Sequence, residues 1–375
     1  MSKIRLLVDA HVFDEVPQGT RTYIEGLYRE IVSINNPDLQ IYFCAHSPAR
    51  LKELFGSHPN IFYLKISSLR VLRICFEIPM LIWKYRINFA HFQYVSPLFQ
   101  SCREIVTIHD VLFLEYPQYF PVHYRKIKKI LFRRSAARAH LLLTVSEYSR
   151  LAISRYFKIA KERIFITPNG ISSEYRDKVP ELLLNTFKKK YGFEKYILYV
   201  SRFEPRKNQT LLLKVFFDLK LWDLGYSLIF VGRKDLKSKN FTGFISELNS
   251  DIKKNVIILE DLTSTELRAF YQHCDLFVYP SLAEGFGIPP LEAAASGAMV
   301  LCSNRTAMGD YKFFGDFFFD PTNEQALKEK ITRFLGQKDR YSHEISRIQN
   351  YVLVNYNWKV IAAAFVKTLL APENE

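Results

Sequence analysis

The chain of 375 residues is short of features that would place it in several broad classes. Its five cysteines, Cys44, Cys75, Cys102, Cys274 and Cys302, are odd in number, scattered, and include no Cys-x-x-Cys. Most sit in apolar surroundings typical of reduced, buried thiols. No window of 18 or more residues is apolar enough to span a bilayer; the best stretch, Val71 to Tyr85, is broken by Arg73, Glu77 and Pro79. The apolar run in Met1–Ala10 is too short for a signal peptide, so a cytoplasmic protein is expected, with peripheral attachment to a membrane as an option. There is no His/Cys/Asp cluster at ligand spacing and no Asp-x-Asp, so no metal is expected. A full Gly-x-Gly-x-x-Gly is also missing, as are low-complexity segments and short-period repeats.

What is present suits a globular protein long enough for two domains: 48% hydrophobic and 24% charged residues. The net charge of +14 is unevenly shared. Residues 1–185 hold 26 Lys+Arg against 16 Asp+Glu, whereas 186–375 hold 26 against 22. The excess in the first half argues for an anionic partner there: nucleic acid, an acidic membrane or a phosphorylated substrate. Nucleic acid is disfavoured, because no basic motif is interleaved with aromatic residues.

Apolar runs predict strands at Ile4–Val8, Gln40–Ala45, Ile61–Lys65, Ile105–Ile108, Leu141–Val145 and Arg163–Thr167. Helical periodicity lies between them, from about Thr20 and near Leu69–Tyr85, His123–Ala139 and Glu147–Phe157. Pro168-Asn-Gly170 closes this series, and Ser172–Lys190 reads as a linker with a polar helix. A second series has strands at Tyr196–Val200, Ser227–Val231, Val256–Leu259, Leu276–Tyr279 and Met299–Cys302. Its helices are expected near Asn208–Lys220, Thr242–Asn249, Thr263–Cys274 and Pro290–Ser296, with Thr263-Ser-Thr-Glu266 a capping box. Alternation of this kind implies two consecutive α/β domains with parallel sheets, which take ligands at the carboxyl ends of their strands. A last helix, around Asn357–Leu370, fits either domain.

Three stretches can carry chemistry. Ser281-Leu-Ala-Glu-Gly-Phe-Gly-Ile-Pro-Pro-Leu-Glu-Ala-Ala-Ala-Ser-Gly297 reads as a glycine turn feeding a helix that starts at Pro289 and Pro290 and stops at Gly297. Such a turn offers an anion free N–H groups and the positive end of a dipole, although any α/β protein can contain one. Ser201-Arg-Phe-Glu-Pro-Arg-Lys-Asn208 puts Arg202, Arg206 and Lys207 after a strand, where they could clamp a diphosphate or simply be solvated, and Asn208 is a good N-cap. In the first half, Ile105-Val-Thr-Ile-His-Asp110 ends a strand with His109; a lone His is more often structural than catalytic, and its place at a strand's carboxyl end narrows that difference. Gly19 marks a weaker anion-seat candidate. The helix His123–Ala139 carries seven Lys and Arg and no acid, with Tyr124, Ile127, Ile130 and Leu131 as an apolar stripe. It can pack on the core with a solvated basic face, or lie on anionic lipid.

Taken together, these motifs resemble glycosyltransferase family 4, over nearly the whole chain. Pro280-Ser-Leu-Ala-Glu-Gly-Phe-Gly-Ile-Pro-Pro-Leu-Glu-Ala293 matches the family's Glu-x7-Glu block. Val200-Ser-Arg202 with Pro205-Arg-Lys-Asn208 looks like its phosphate loop. Thr107-Ile-His-Asp110, Val145-Ser-Glu-Tyr-Ser149 and Pro168-Asn-Gly170 look like weaker markers of its first domain. The resemblance implies the α/β GT-B fold, two Rossmann-like parallel-sheet domains facing across a cleft. It places an acceptor-binding domain at 1–180, a donor domain at 190–355, and a C-terminal helix at 356–375 crossing back to the first. It also implies a retaining enzyme that uses a nucleoside-diphosphate sugar and needs no cofactor.

By the same resemblance, Arg202 and Lys207 hold the donor diphosphate, and Glu292 accepts from the ribose hydroxyls. Glu284 holds the transferred sugar with the N–H groups of Phe286 and Gly287, in a turn that includes Gly285. Gly19 lets a loop approach the phosphates, and His109 faces the donor sugar. The proton goes to the leaving phosphate by front-face substitution, which makes stabilisation of the leaving group the main protein contribution. Ser201 departs from the family's usual glycine, and Thr306–Asp320 lacks its Pro-Glu-Val pattern and is rich in Phe. The resulting expectation is a hexosyltransferase acting on a saccharide or lipid-linked acceptor in cell-surface polysaccharide synthesis. The alternatives are another GT-B activity, such as a sugar-nucleotide epimerase, or a silent scaffold of a polysaccharide assembly complex.

Overall fold

In a computed structural model, residues 3–14, 19–233, 243 and 253–371 are described. The chain forms two units, residues 1–170 with 356–375, and residues 171–355. Residues 171–180, expected with the first domain, therefore group with the second.

The first unit is built on β1 (Ile4–Asp9), β2 (Leu39–Ala45), β3 (Ile61–Lys65), β4 (Phe89–Gln93), β5 (Arg103–Thr107), β6 (Leu141–Thr144) and β7 (Ile164–Ile166). All pairings are parallel, in the order β3-β2-β1-β4-β5-β6-β7. The order reverses direction between β1 and β4, the switch point where α/β sheets take ligands. β4 is absent from the expected strands. Phe89-Ala-His-Phe-Gln93 is buried throughout, and its polar members are satisfied internally, so it lacks both an apolar run and an alternation.

The helix expected over Leu69–Tyr85 forms as Arg70–Leu72, a π turn at Arg73–Glu77, and Ile78–Lys84. Pro79 has no N–H to give to the carbonyl four residues back, and the wider turn lies where that bond would be missing. Helix Val122–Arg138 corrects the expected stripe: its buried residues are Phe132, Ser135 and Ala136, while Tyr124, Ile127 and Ile130 are exposed. Two of its cations are structural: Arg134 donates to the carbonyls of Ser96, Pro97 and Leu98, and Arg138 pairs with buried Glu104.

Helix Trp358–Leu370 packs on helix Gly19–Ile34. The Trp358 indole fills a slot that two glycines leave open. A Cβ on Gly26 would come within 2.1 Å of its ring, and one on Gly170 within 2.5 Å. Only hydrogen fits there. Tyr23 meets the indole edge-on at 6.0 Å.

The second unit is built on β8 (Lys195–Val200), β9 (Tyr226–Val231), β10 (Val256–Leu259), β11 (Leu276–Tyr279), β12 (Val300–Ser303) and β13 (Phe318–Phe319). They pair in parallel in the order β10-β9-β8-β11-β12-β13, with the reversal between β8 and β11. The two-residue β13 was not among the expected strands. The expected helix Thr242–Asn249 lies outside the described residues, Gly243 apart. Asn208 does not cap its helix: its backbone is left-handed at φ 57°, and its amide donates to the Pro321 carbonyl. The capping box at Thr263 forms as expected. The stretch read as a linker is pinned to this unit instead, Val179 N–H donating to Gln272 and Gln272 to the Asp177 carbonyl.

Candidate functional site

The second unit assembles its site from the loops after β8 and β11, the two strands flanking the reversal. Tyr279 ends β11, and Ser281 and Glu284 follow in the turn. The β8 loop brings Arg206 and Lys207 against them. Glu284 is buried, and both of its oxygens are engaged. Oε1 accepts from Lys207 Nζ at 2.6 Å, Ser281 Oγ at 2.8 Å and Tyr279 Oη at 2.9 Å. Oε2 accepts from Arg206 at 3.0 Å, and Arg206 also donates to the Ala283 carbonyl at 2.8 Å and pairs with Glu204 at 2.8 Å.

Burial would raise the Glu284 pKa, but the Lys207 and Arg206 charges outweigh it and hold the carboxyl at about 2. Burial lowers the pKa of the Lys207 ammonium, against the pull of Glu284. Lys207 Nζ also donates to Tyr279 Oη at 3.1 Å. An ammonium has three N–H donors, so one remains beyond the two drawn here. The sequence signal for Lys207 and Glu284 was their loop position. The direct pairing of Glu284 with Lys207 and Arg206, and the part of Tyr279 and Ser281 in it, have no local sequence signal.

The glycine turn behaves as its spacing suggests. Gly287 sits at φ 95° ahead of helix Ile288–Ala295, with Pro289 and Pro290 in the first turn and Gly297 at φ 76° beyond its end. A Cβ on Gly287 would also meet Met308 Cγ at 2.9 Å. Phe286 is buried and its carbonyl accepts from Tyr311 Oη at 2.7 Å; Gly285 lies between it and Glu284. The Glu284 N–H donates to Thr306 Oγ1 at 2.9 Å. Thr306 is held at φ 55°, a costly conformation for a β-branched residue. The segment that departs from the family pattern thus supports the turn directly.

Glu292, on the helix, accepts from Tyr271 Oη at 3.0 Å and from Tyr175. Burial raises its pKa, and the two tyrosine hydrogen bonds oppose the rise. Tyr175 comes from the stretch read as a linker, so nothing in the local pattern marked it. Arg202 is more exposed, at 39%, with Nε 4.0 Å from Glu204.

The other two candidates belong to the first unit. Gly19 is the first residue of helix Gly19–Ile34; residues 15–18 before it lie outside the described residues. His109 is buried just beyond β5, its Nε2 2.7 Å from Gln93 Oε1, with the Tyr23 ring edge-on at 5.1 Å. His91 on β4 continues the network, bonded to Tyr28 Oη at 2.7 Å and Thr107 Oγ1 at 2.8 Å. Burial lowers both imidazoles to about 3, so both are neutral at pH 7.

Sequence profiles divide the chain between two descriptions. Residues 17–175 match "Glycosyltransferase Family 4", and residues 185–350 match "Glycosyl transferases group 1". The chain belongs to the family-4, group-1 glycosyltransferases. Among curated relatives of this family member, O-antigen chain mannosyltransferase B of Escherichia coli is 30% identical over 235 residues, 62% of this chain and 61% of the relative. O-antigen chain mannosyltransferase RfbU of Salmonella typhimurium is 29% identical over 254 residues, 66% and 64% respectively. The chain thus spans under two thirds of the length of these relatives.

Among solved structures, sucrose-phosphate synthase from Thermosynechococcus elongatus superposes with a TM-score of 0.76 at 16% identity, covering 98% of both chains. A glycosyltransferase from Rickettsia africae gives 0.74 at 18%, covering both completely. Anabaena HepE, in complex with UDP-glucose, gives 0.71 at 16%, covering 98% of this chain and 99% of its own. At these identities the likeness establishes the fold, two Rossmann-like GT-B domains.

Proposed function

We propose that the chain is a retaining hexosyltransferase of cell-surface polysaccharide synthesis, moving a sugar from a nucleoside-diphosphate sugar to a saccharide acceptor. The reading is carried by one observation: Lys207 and Glu284, from the loops on either side of the sheet reversal, meet in a buried, charge-matched cluster. In this reading Lys207 spends two N–H groups on Glu284 and Tyr279 and turns the third to the donor's phosphates, beside Arg202. The buried carboxylate keeps the ammonium charged and fixed, so stabilising the departing diphosphate requires little reorganisation. Arg206, tied to Ala283, Glu284 and Glu204, sets the shape of the turn rather than gripping the substrate.

Glu292, already turned by Tyr271 and Tyr175, takes the ribose hydroxyls, and the N–H groups of Phe286 and Gly287 take the sugar. Glu284 serves the sugar less than its position in the family motif suggests, since its oxygens are committed to Lys207, Arg206, Ser281 and Tyr279. Neutral His109, oriented by Gln93, offers a sugar hydroxyl a hydrogen bond and no charge. The names of the two relatives support mannose as the sugar. No metal or cofactor enters this reading.

A thermal-shift screen with uridine, guanosine and adenosine diphosphate sugars tests the donor class, because a ligand bound in excess raises the melting temperature by mass action. The expected result is a shift with one base, guanosine for a mannosyl donor, and a smaller shift in Glu292→Gln. No shift with any of them, or an unchanged shift in the variant, overturns the assignment.

A further inference from the structure

The first unit has a cavity of about 400 Å³ at its own sheet reversal. Asp9 from the end of β1, Gln93 and Tyr94 from the end of β4, and Asp110 beyond β5 line it. Its cations come from three separate helical stretches: Arg21, Arg70 with Arg73, and Lys128. Four cations therefore face two carboxylates, and both carboxylates have local partners. Asp9 Oδ1 is 2.9 Å from His11 Nδ1 and lies in the field of Arg73, and Asp110 accepts from the Leu112 N–H.

Arg73 is the telling residue. Only 7% exposed, it lines the cavity with its Nε buried, and that donor has no hydrogen-bond partner among the described residues. It opens the π turn, which places it inward while Leu72 and Phe76 of the same stretch face solvent. Arg21 pairs with Glu25 through Nε at 3.8 Å, while its Nη1 is buried with no hydrogen-bond partner among the described residues. A buried guanidinium donor left unpaired is costly and points to a missing acceptor. π turns recur at functional sites.

We propose that this cavity binds the phosphate or diphosphate group of a phosphorylated acceptor, with Arg73 and Arg21 as the inner donors and Arg70 and Lys128 at the mouth. Guanidinium groups suit phosphate oxygens through paired, charge-assisted hydrogen bonds. That the ligand is the acceptor rests on the glycosyl-transfer reading above; that it is a phosphate does not. Two sources share this chemistry, a soluble sugar phosphate and a lipid-linked saccharide. Leu69, Val71, Leu72 and Phe76, neighbours of Arg70 and Arg73 in sequence, and Ile127, next to Lys128, are exposed, which is apolar surface that an acyl or prenyl chain would cover.

Isothermal titration of the full-length protein with decyl diphosphate below its micellar concentration, decyl maltoside and inorganic diphosphate tests the site. Decyl diphosphate should bind, and Arg70→Ser and Lys128→Gln should each weaken it roughly tenfold, the worth of one charge-assisted hydrogen bond. Arg73→Met should abolish it. Because Arg73 also faces buried Asp9, the two mouth variants keep the test independent of folding. Inorganic diphosphate binding as tightly as decyl diphosphate supports the anion site and assigns it to a soluble phosphorylated ligand, and markedly weaker binding assigns it to a lipid-linked one. Equal binding of decyl maltoside, or mouth variants with wild-type affinity, overturns the site. Nucleoside-diphosphate binding should be unchanged in every variant; its failure in the wild-type protein would count against the donor assignment alone.

Discussion

Both units reverse strand order beside their first strand, yet the two reversals are electrostatic opposites. In the second unit the carboxylate and its cations neutralise one another: Glu284 accepts from Lys207, Arg206, Ser281 and Tyr279, and little polar capacity is left over. In the first, neutral His91 and His109 fill the interior while arginine donors line an open cavity. The same topology can therefore hold a self-neutralised cluster or a cavity lined by arginine donors that lack a partner among the described residues. Topology fixes where a ligand goes, and side-chain pairing decides which donors are left to meet it.

The sharpest way to break this contrast is to unbalance the closed cluster. Lys207→Ala should cut sugar transfer about 10²–10³-fold, the loss seen when one pre-organised donor is removed. It should also destabilise the second unit by about 3 kcal/mol, at the low end for a broken buried pair because Arg206 stays on Glu284. Initial rates and urea melts check both, and a variant with near-normal turnover would remove Lys207 from the site. The matching insult to the first unit is Trp358→Ala, which empties the slot between Gly26 and Gly170 and should cost about 3–5 kcal/mol. Hydrogen exchange should localise that loss to the first unit.

Acid should separate the units without any mutation. His91 and His109 have folded pKa values near 3, below the ordinary 6.5, so the unfolded chain binds more protons between those values. Their contribution is complete above about pH 6.5 and is lost as pH falls toward 3. Glu284, lowered from 4.5 to about 2, stabilises the second unit above about pH 4.5 and gives way only between 4.5 and 2. In pH-dependent hydrogen exchange, β4 and β5 should lose protection before β8 and β11; simultaneous loss would contradict the assignment. A smaller effect is expected from Glu292→Gln, about tenfold weaker donor binding through a weaker acceptor, measured by titration. The smallest is Ile130→Ser on exposed helix surface, within about 0.5 kcal/mol of wild type in a thermal melt.

Legibility differed in the same way. The two loops of the second unit's cluster were legible because turn chemistry surrounds them: Gly287, Pro289, Pro290 and Gly297 all do what their types predict. The cavity of the first unit was not, because its residues run from Asp9 to Phe132 and converge only through the fold. β4 escaped notice because His91 and Gln93 are buried polar residues whose partners are remote in sequence. Asn208 misled, since its side chain found the Pro321 carbonyl instead of its own helix. The stripe on helix Val122–Arg138 has the right spacing but no core opposite its first half, and periodicity alone cannot tell a buried face from an exposed one. Tyr175 sits in a stretch that looks like a spacer, and its contact with Glu292 is purely tertiary.

The seat of Trp358 has a consequence for the order of events on the ribosome. The slot formed by Gly26 and Gly170 stays empty until the last helix emerges, after all of residues 171–355. At about 5–20 residues per second this is a wait of roughly 10–40 s, in which the second unit can complete its core while the first, though begun earlier, still shows an open groove along helix Gly19–Ile34. The unit synthesised first is the unit finished last. A nascent chain stalled before residue 356 should accordingly be cut by protease within the first unit while its second unit resists.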